Sequence, residues 1–429
     1  MFNRLLFLVP VLAVSGAAAP PPRDSLDGAA RDYVRLQLAI GEKEDGYIDA
    51  YYGPDSLRRE GKALARHSSL AQLKHRAEAL RARVDGIGKR APAASARRAR
   101  FLSAQLTAAV TRLRMLSGEK LSFDDEAQGL FGVRPQLKPL SRYDPVLARI
   151  DALFPGSGPL ADRVEAYQNR FLIPTARLRP VFDAAIAGCK ARTAQHIRLP
   201  KGERFDLAFV TGKTWGGYNY YQGHYVSRIE VNTDLPIRIS RAVDLGCHEG
   251  YPGHHVLNSL LEQKLTRGRG WVEFSVYPLF SPQSLIAEGS ANYGADLAFP
   301  GLQKASFEAS KLYPLAGLPP AEARRYDALR TATKGLAGAS MTIERDFLDG
   351  RITEDRAIQL LRKYGVTSEE RAKKSIAFAK QYRTYVINYG LGEEMVAQDV
   401  ERFRSPAERW RRFEQLISEP TLPSDLRAR

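Results

Sequence analysis

The sequence predicts a mainly α-helical protein with a small β-sheet set just ahead of its richest motif. Three observations lead there. Apolar residues recur at helical spacing along most of the chain. β-Formers and glycines concentrate in residues 205–234. Hydrophobic residues make up 44% and charged residues 26%, the balance of a packed globular protein. That balance excludes collagen-like, low-complexity and wholly disordered chains. Two cysteines in 429 residues exclude a disulfide-dense scaffold.

Residues 1–19 have the layout of a secretory signal peptide. Arg4 is the basic start, residues 5–14 are apolar and residues 15–19 are small. The apolar run falls short of the ~20 residues that cross a bilayer. No cysteine stands at the cleavage region to carry a lipid. The expected product is exported, periplasmic or secreted, with no stable membrane insertion. In that oxidising setting Cys189 and Cys247 could bridge or remain two buried thiols.

Residues 20–155 form the expected N-terminal helical region. Residues 69–84 carry Leu70, Leu73, Ala77, Leu80 and Val84 on one stripe, and residues 93–116 carry Leu102, Leu106, Val110, Leu113 and Leu116. The Gly/Ser/Pro loop at 155–159 marks the junction with residues 156–429, which hold the candidate chemistry. The two regions are expected to form one continuous body. Further helices are predicted over 160–171, 176–197, 239–265 (with one break), 282–299, 319–349, 353–363 and 368–382. Pro320 suits a first helical turn, and Thr353 suits an N-cap followed by Glu354 and Asp355. Residues 205–234 alternate β-formers with glycine and predict two or three short strands.

The net charge is +16. Its basic residues are spread through helical stretches, as at Arg97, Arg98 and Arg100, with no aromatic-interleaved groove or nucleic-acid motif. Solvated helix faces explain the excess, and no nucleic-acid partner is expected.

Three of the seven histidines fall within eight residues, in Cys247-His248-Glu249-Gly250-Tyr251-Pro252-Gly253-His254-His255. Histidines beside a glutamate are what a zinc site needs, provided that two ring nitrogens converge on one point. The plain pattern H-E-x-x-H achieves this with an i, i+4 pair. Here position i+4 from His248 is Pro252. On an ideal helix His255 would have the right face but lie about 10.5 Å along the axis, and His254 would have the wrong face. Pro252 and Gly253 permit a bulge or loop that returns His254 or His255 to His248, with His254 favoured. In glutamate-type zinc peptidases a third ligand lies on a following helix. Glu288 fits, being an acid in the otherwise apolar or small segment Leu285-Ile286-Ala287-Glu288-Gly289-Ser290-Ala291-Asn292.

The block His248 to His255, followed by Glu288-Gly289, resembles the bacterial domain of unknown function 885 family, which is related to helical glutamate-zincin metallopeptidases of the neurolysin type. Tyr47-Ile48-Asp49-Ala50-Tyr51-Tyr52-Gly53-Pro54, Asn232-Thr233-Asp234-Leu235-Pro236 and Tyr389-Gly390-Leu391-Gly392 resemble other segments of that family. The likeness spans nearly the whole mature chain. It departs after Glu288, where the family usually carries Gly-Trp-Ala-Leu and this chain has Gly289-Ser290-Ala291-Asn292.

The resemblance implies a neurolysin-like helical body and a zinc-dependent peptidase acting on peptides. His248, His254 and Glu288 would be the ligands of one Zn2+, with Glu249 as general base. Tyr389 is the candidate oxyanion donor, with Tyr385 and His224 behind it. Trp215 and residues 218–221 could line subsites, the strand edge could receive an extended peptide, and Arg228 or Arg383 could hold a substrate carboxylate. Three rival readings use the same residues: a zinc hydrolase of another amide such as a cell-wall peptide, a catalytically inactive peptide-binding protein, and a structural metal site. The retained Glu249 weighs against the inactive binder, which needs no base there, and the two neighbouring histidines with a Pro-Gly break weigh against a structural site, which usually has four closed protein ligands, often cysteines.

Overall fold

A computed structural model describes residues 25–426. The expected signal peptide lies outside them. The chain is mainly helical with two small sheets, and among the described residues no helix is long and apolar enough to cross a membrane.

The N-terminal helices build one of two hydrophobic cores. Helix α1 (Leu26–Gly41) is capped by Ser25, whose hydroxyl accepts from the Gly28 N–H. A short strand β1 (Ile48–Tyr51) follows. Helix α2 (Leu70–Gly88) opens on a reciprocal Ser69–Gln72 capping box, and α3 (Ala93–Leu116) lies against it. Their predicted stripes are buried: Leu73, Leu80, Leu102, Leu106 and Leu113 pack with Tyr33 of α1. The same core takes in Leu285, Ile286, Tyr385 and Ile387, so it draws on both sides of the junction expected at residue 155.

Helix α4 (Leu178–Thr193) leads into the predicted strand region. It forms three strands, β2 (Arg204–Val210), β3 (Gly217–Gly223) and β4 (Val226–Asn232), in the order β2-β4-β3. β2 runs parallel to β4 and β3 antiparallel to it. The two-residue β3–β4 turn holds His224 and Tyr225 at φ 56° and 62°, the left-handed conformation that matches hairpin twist. β3 is thus an edge strand.

The stretch expected as one broken helix divides into α5 (Ser240–Leu245), a wide π-type turn (Gly246–Gly250) and α6 (His254–Leu261). Strand β5 (Val276–Pro278) pairs with β1; elements of three and four residues carry too little alternation to be seen in sequence. Helix α7 (Pro282–Ala298) is buried along almost its whole length. It packs against α8 (Ile387–Val400) and α9 (Pro406–Ser418). At the α7–α8 crossing the backbones nearly touch: a Cβ on Gly289 would lie 2.4 Å from the Gly392 carbonyl. Two glycines therefore set the approach that carries Tyr389 of α8, and Tyr385 in the turn just before it, towards the α7 carboxylate.

The sequence reading did not place α1, α8 or α9. It also ran residues 319–349 as one helix, where the chain forms Ala323–Lys334 and Ala337–Leu348 with a break at Gly335 and Leu336.

Candidate metal centre

The turn between α5 and α6 does what an ideal helix could not. The wide turn ends with the Tyr251 N–H donating to the Gly246 carbonyl. The chain then reverses through Pro252 and Gly253, and the Gly253 N–H donates to the Cys247 carbonyl at 3.0 Å. A Cβ at Gly253 would sit 1.8 Å from the His248 carbonyl oxygen and 2.5 Å from that of Cys247. Both obstacles are backbone, so this reversal requires glycine. It delivers His254, the first residue of α6, to the face of His248.

Cys247 is tied to Cys189 of α4 by a disulfide, with Cα atoms 5.4 Å apart. The bond fixes the residue before His248 to a neighbouring helix. Closing a loop of 58 residues removes about 4 kcal/mol of chain entropy from the unfolded state. Cys189→Ala and Cys247→Ala are each expected to lower stability to urea by about that amount. The double variant should lose no more than either single one.

Three donor atoms converge. His248 Nε2 lies 3.1 Å from His254 Nε2 and 3.2 Å from Glu288 Oε2, and His254 Nε2 lies 3.6 Å from Glu288 Oε2. Ligands ~2.0–2.1 Å from a tetrahedral centre sit about 3.3 Å from one another, so this triangle has the edge lengths of a zinc site. Glu288 Oε2 is buried and accepts no hydrogen bond of acceptable angle, an expensive state unless a cation takes that lone pair. Its other oxygen, Oε1, accepts from the Tyr385 hydroxyl at 2.7 Å. His248 Nδ1 lies 2.8 Å from Asn292 Oδ1. The amide oxygen can only accept, so Nδ1 carries the proton and Nε2 keeps a lone pair for the centre. The Asn292 amide nitrogen in turn donates to the Tyr389 carbonyl at 3.0 Å. Two histidines and a carboxylate with one side open suit zinc.

Charges in the cluster are mutually adjusted. Burial alone would raise Glu288, but the nearby His254 and His248 rings outweigh it and hold the carboxyl well below its usual range. Burial lowers His254, yet Glu288 and then Asp49 raise it further. Glu249 is the opposite case. Its Oε1 lies 4.0 Å from His248 Nε2, and burial pushes its pKa up to about 7, against the pull of His248 and with help from Glu288. The carboxyl is aimed by its neighbours: Asn219 of β3 donates to the Glu249 carbonyl at 2.7 Å, and Gly217 leaves room for the side chain. A Cβ at Gly217 would meet Glu249 Oε1 at 2.8 Å. Gly217→Ala is therefore expected to push the carboxylate aside without unfolding the protein. If Glu249 acts as a base, the turnover number should fall at least about tenfold with metal content unchanged.

These residues line one cavity of about 1150 Å³. Trp215, Tyr218 and Tyr220 line it as expected, whereas Tyr221 points into the core and donates to Glu262 at 2.5 Å. Tyr389 also lines it, with its ring centre 6.4 Å from that of His248 and its hydroxyl free of hydrogen bonds among the described residues. Burial keeps that hydroxyl protonated, as a hydrogen-bond donor must be. Tyr385 borders the cavity too, but its hydroxyl is committed to Glu288.

Other candidates lie elsewhere. His255 is fully buried between Ser227 Oγ at 2.8 Å and Glu203 Oε2 at 2.9 Å, so it braces α6 against the sheet. His224 sits on the exposed hairpin turn, beside Arg267 at 2.9 Å and outside the cavity. Arg383 binds Glu126 at 2.7 Å and Arg228 binds Glu230 at 2.9 Å, and neither lines the cavity. The structure thus brings none of these three to the cavity wall: His224 and Arg383 bridge separate segments, and Arg228 pairs within β4.

Asn292 and Asp49 escaped the sequence reading. Asn292 stands four residues after Glu288 and so shares its helical face, a signal that was present. Asp49 reaches the cavity from β1, where it accepts from the Tyr218 hydroxyl. Burial, opposed by that bond and by His254, raises its pKa to about 6.

No family model and no curated protein matches the chain. Among solved structures it is similar to a crystal structure titled "the putative lipoprotein from Colwellia psychrerythraea", with a TM-score of 0.51 and 15% identity over 93% of this chain and 74% of that one. At that identity the likeness is one of fold.

Proposed function

We propose that this is an exported zinc-dependent metallopeptidase of the helical glutamate-zincin type. His248, His254 and Glu288 hold the metal, and Glu249 acts as general base. The observation that carries the reading is the triangle of donor atoms with edges of 3.1, 3.2 and 3.6 Å, closed by a buried carboxylate oxygen that lacks a hydrogen bond. When bound, zinc would supply a Lewis acid that polarises a carbonyl and acidifies a water.

The chain's own groups do the rest. Asn292 keeps the His248 proton on Nδ1 and Tyr385 orients Glu288. Glu249 takes the proton of the attacking water and returns it to the leaving amine, its Oε1 standing 4.0 Å from His248 Nε2 at the edge of the donor cluster. The Tyr389 hydroxyl donates to the developing oxyanion. Edge strand β3 offers main-chain groups along which an extended peptide can lie.

The test is metal content by mass spectrometry of the purified mature protein, alongside His248→Ala and a peptide-library assay. About one zinc per chain, lost in the variant, with peptide cleavage in the wild type only, is the expected result. No metal after dialysis against zinc would overturn the reading and leave a peptide-binding protein of the same fold. Metal without peptide cleavage would direct attention to another amide.

A further inference from the structure

The cavity that holds the metal donors has a second, basic wall. It carries the guanidinium groups of Arg238, Arg241 and Arg371 and the ammonium of Lys374. Most of these charges are already partnered. Arg238 binds Glu165 at 2.7 Å, Arg371 lies 3.9 Å from the same carboxylate and donates to the Pro236 carbonyl at 3.3 Å, and Lys374 faces Asp234 at 3.5 Å. The remaining guanidinium groups of the cavity, Arg112 and Arg330, are paired with Glu44 and with Glu308.

Arg241 differs. Among the described residues its side chain makes no hydrogen bond and no ion pair, and it is exposed to the cavity. The nearest acid on its own helix, Asp244, is committed to Lys304. The strand side offers no obstruction: the residue beside the guanidinium is Gly216, where even a Cβ would stand 3.6 Å from it. The neighbouring Arg238 and Arg371 add like charge, so an anion arriving at Arg241 relieves repulsion as well as gaining a partner. A guanidinium presents a planar fork that matches a carboxylate with two parallel hydrogen bonds.

Position supplies the chemical class. Arg241 stands seven residues before His248 and both line the cavity; at no more than about 1.5 Å per residue through α5 and the wide turn, their backbones stand at most about 10 Å apart along the axis. An extended peptide advances roughly 3.3–3.6 Å per residue, and about three residues fill that span. We propose that Arg241 anchors the C-terminal carboxylate of the substrate, so that cleavage falls within about three residues of that end. This rests on the peptidase reading above and narrows it from peptides in general to peptides with a free C-terminus.

The probe is an N-acetylated randomised tetrapeptide pool, made once as free acids and once as C-terminal amides. Retention by zinc-dialysed Glu249→Gln protein, which keeps the cavity but lacks the base, is measured by equilibrium dialysis and mass spectrometry. The acids should be held at least about tenfold tighter than the amides. Arg241→Gln should bring the acids down to the level of the amides and leave the amides unchanged, and Arg241→Lys should restore part of the difference. Equal retention of acids and amides, retention indifferent to Arg241→Gln, or no retention of either pool overturns the anchor. Turnover by the wild-type protein separates the two readings. Equal cleavage of acids and amides leaves the peptidase standing and removes the anchor. Selective retention of acids without cleavage leaves the anchor and removes the peptidase.

Discussion

Glu249→Gln should abolish peptide hydrolysis, by at least about 10³-fold, while zinc content stays at the wild-type level. The side chain is not one of the three converging donors, and glutamine preserves its volume. What changes is the ability to accept a proton. A second effect separates this substitution from simple damage. Burial holds the Glu249 pKa in the folded, metal-free protein at about 7, above the ~4.3 of an unfolded glutamate. Between these values the folded state binds the extra proton, so stability falls as pH rises through the window and the full penalty is present above pH 7. Removing the titrating group removes the penalty. The metal-free variant should therefore be more stable than metal-free wild type at pH 8, by up to about 3 kcal/mol, and the gap should close near pH 5. Denaturant unfolding at the two pH values measures it. A variant that loses activity and is destabilised at pH 8 would show that the carboxyl is structural.

That reasoning depends on geometry which the sequence carried only in part. The spacing of His248, Pro252, Gly253 and His254 was enough to see that a regular helix fails and that the break must lie at Pro252-Gly253. It could not decide between His254 and His255, because the answer lies in partners far along the chain: Ser227 and Glu203 take His255 away. Glu288 stood out as an acid among apolar neighbours, and its burial confirms why that pattern is rare. Tyr385 and Tyr389 were visible, but their division of labour was not. The two are four residues apart, a spacing that would give them one face of a regular helix, whereas Tyr385 lies in the 3-10 turn before α8 and reaches the carboxylate where Gly392 approaches Gly289. Helix α8 itself was hidden by the same feature, since Gly390 and Gly392 weaken a helical reading. The arginines were least legible. Among 64 basic residues nothing in sequence marks Arg383 as the partner of Glu126, or Arg241 as a cavity arginine that has no ion pair among the described residues.

Glu288→Ala should weaken zinc binding by more than about 100-fold, a loss larger than is typical when only an outer hydrogen-bond partner is removed. The carboxylate supplies one vertex of the donor triangle, and its other oxygen is the anchor for Tyr385. The substitution also reverses a pH dependence. In the metal-free protein the histidines hold Glu288 well below its usual range, so its contribution to stability is full above ~4.3 and is lost as pH falls through the depressed value. The raised His254 contributes below ~6.5 and loses that contribution as pH rises through its folded value. Both are present together in weakly acidic solution, where metal-free wild type should be most stabilised by the cluster. Zinc needs the neutral imidazoles, so protons and metal compete for the same lone pairs. Metal affinity of the wild type should fall as pH drops through the raised folded value of His254, and so should already be falling above about 6.5. In Glu288→Ala the histidines lose the anion that raised His254, so stability in that weakly acidic window should drop while stability at pH 8 changes less. Zinc titration and unfolding curves across pH 5–8 give both readouts. Unchanged zinc affinity in Glu288→Ala would remove the carboxylate from the site and leave a two-histidine centre too weak to support the proposed chemistry.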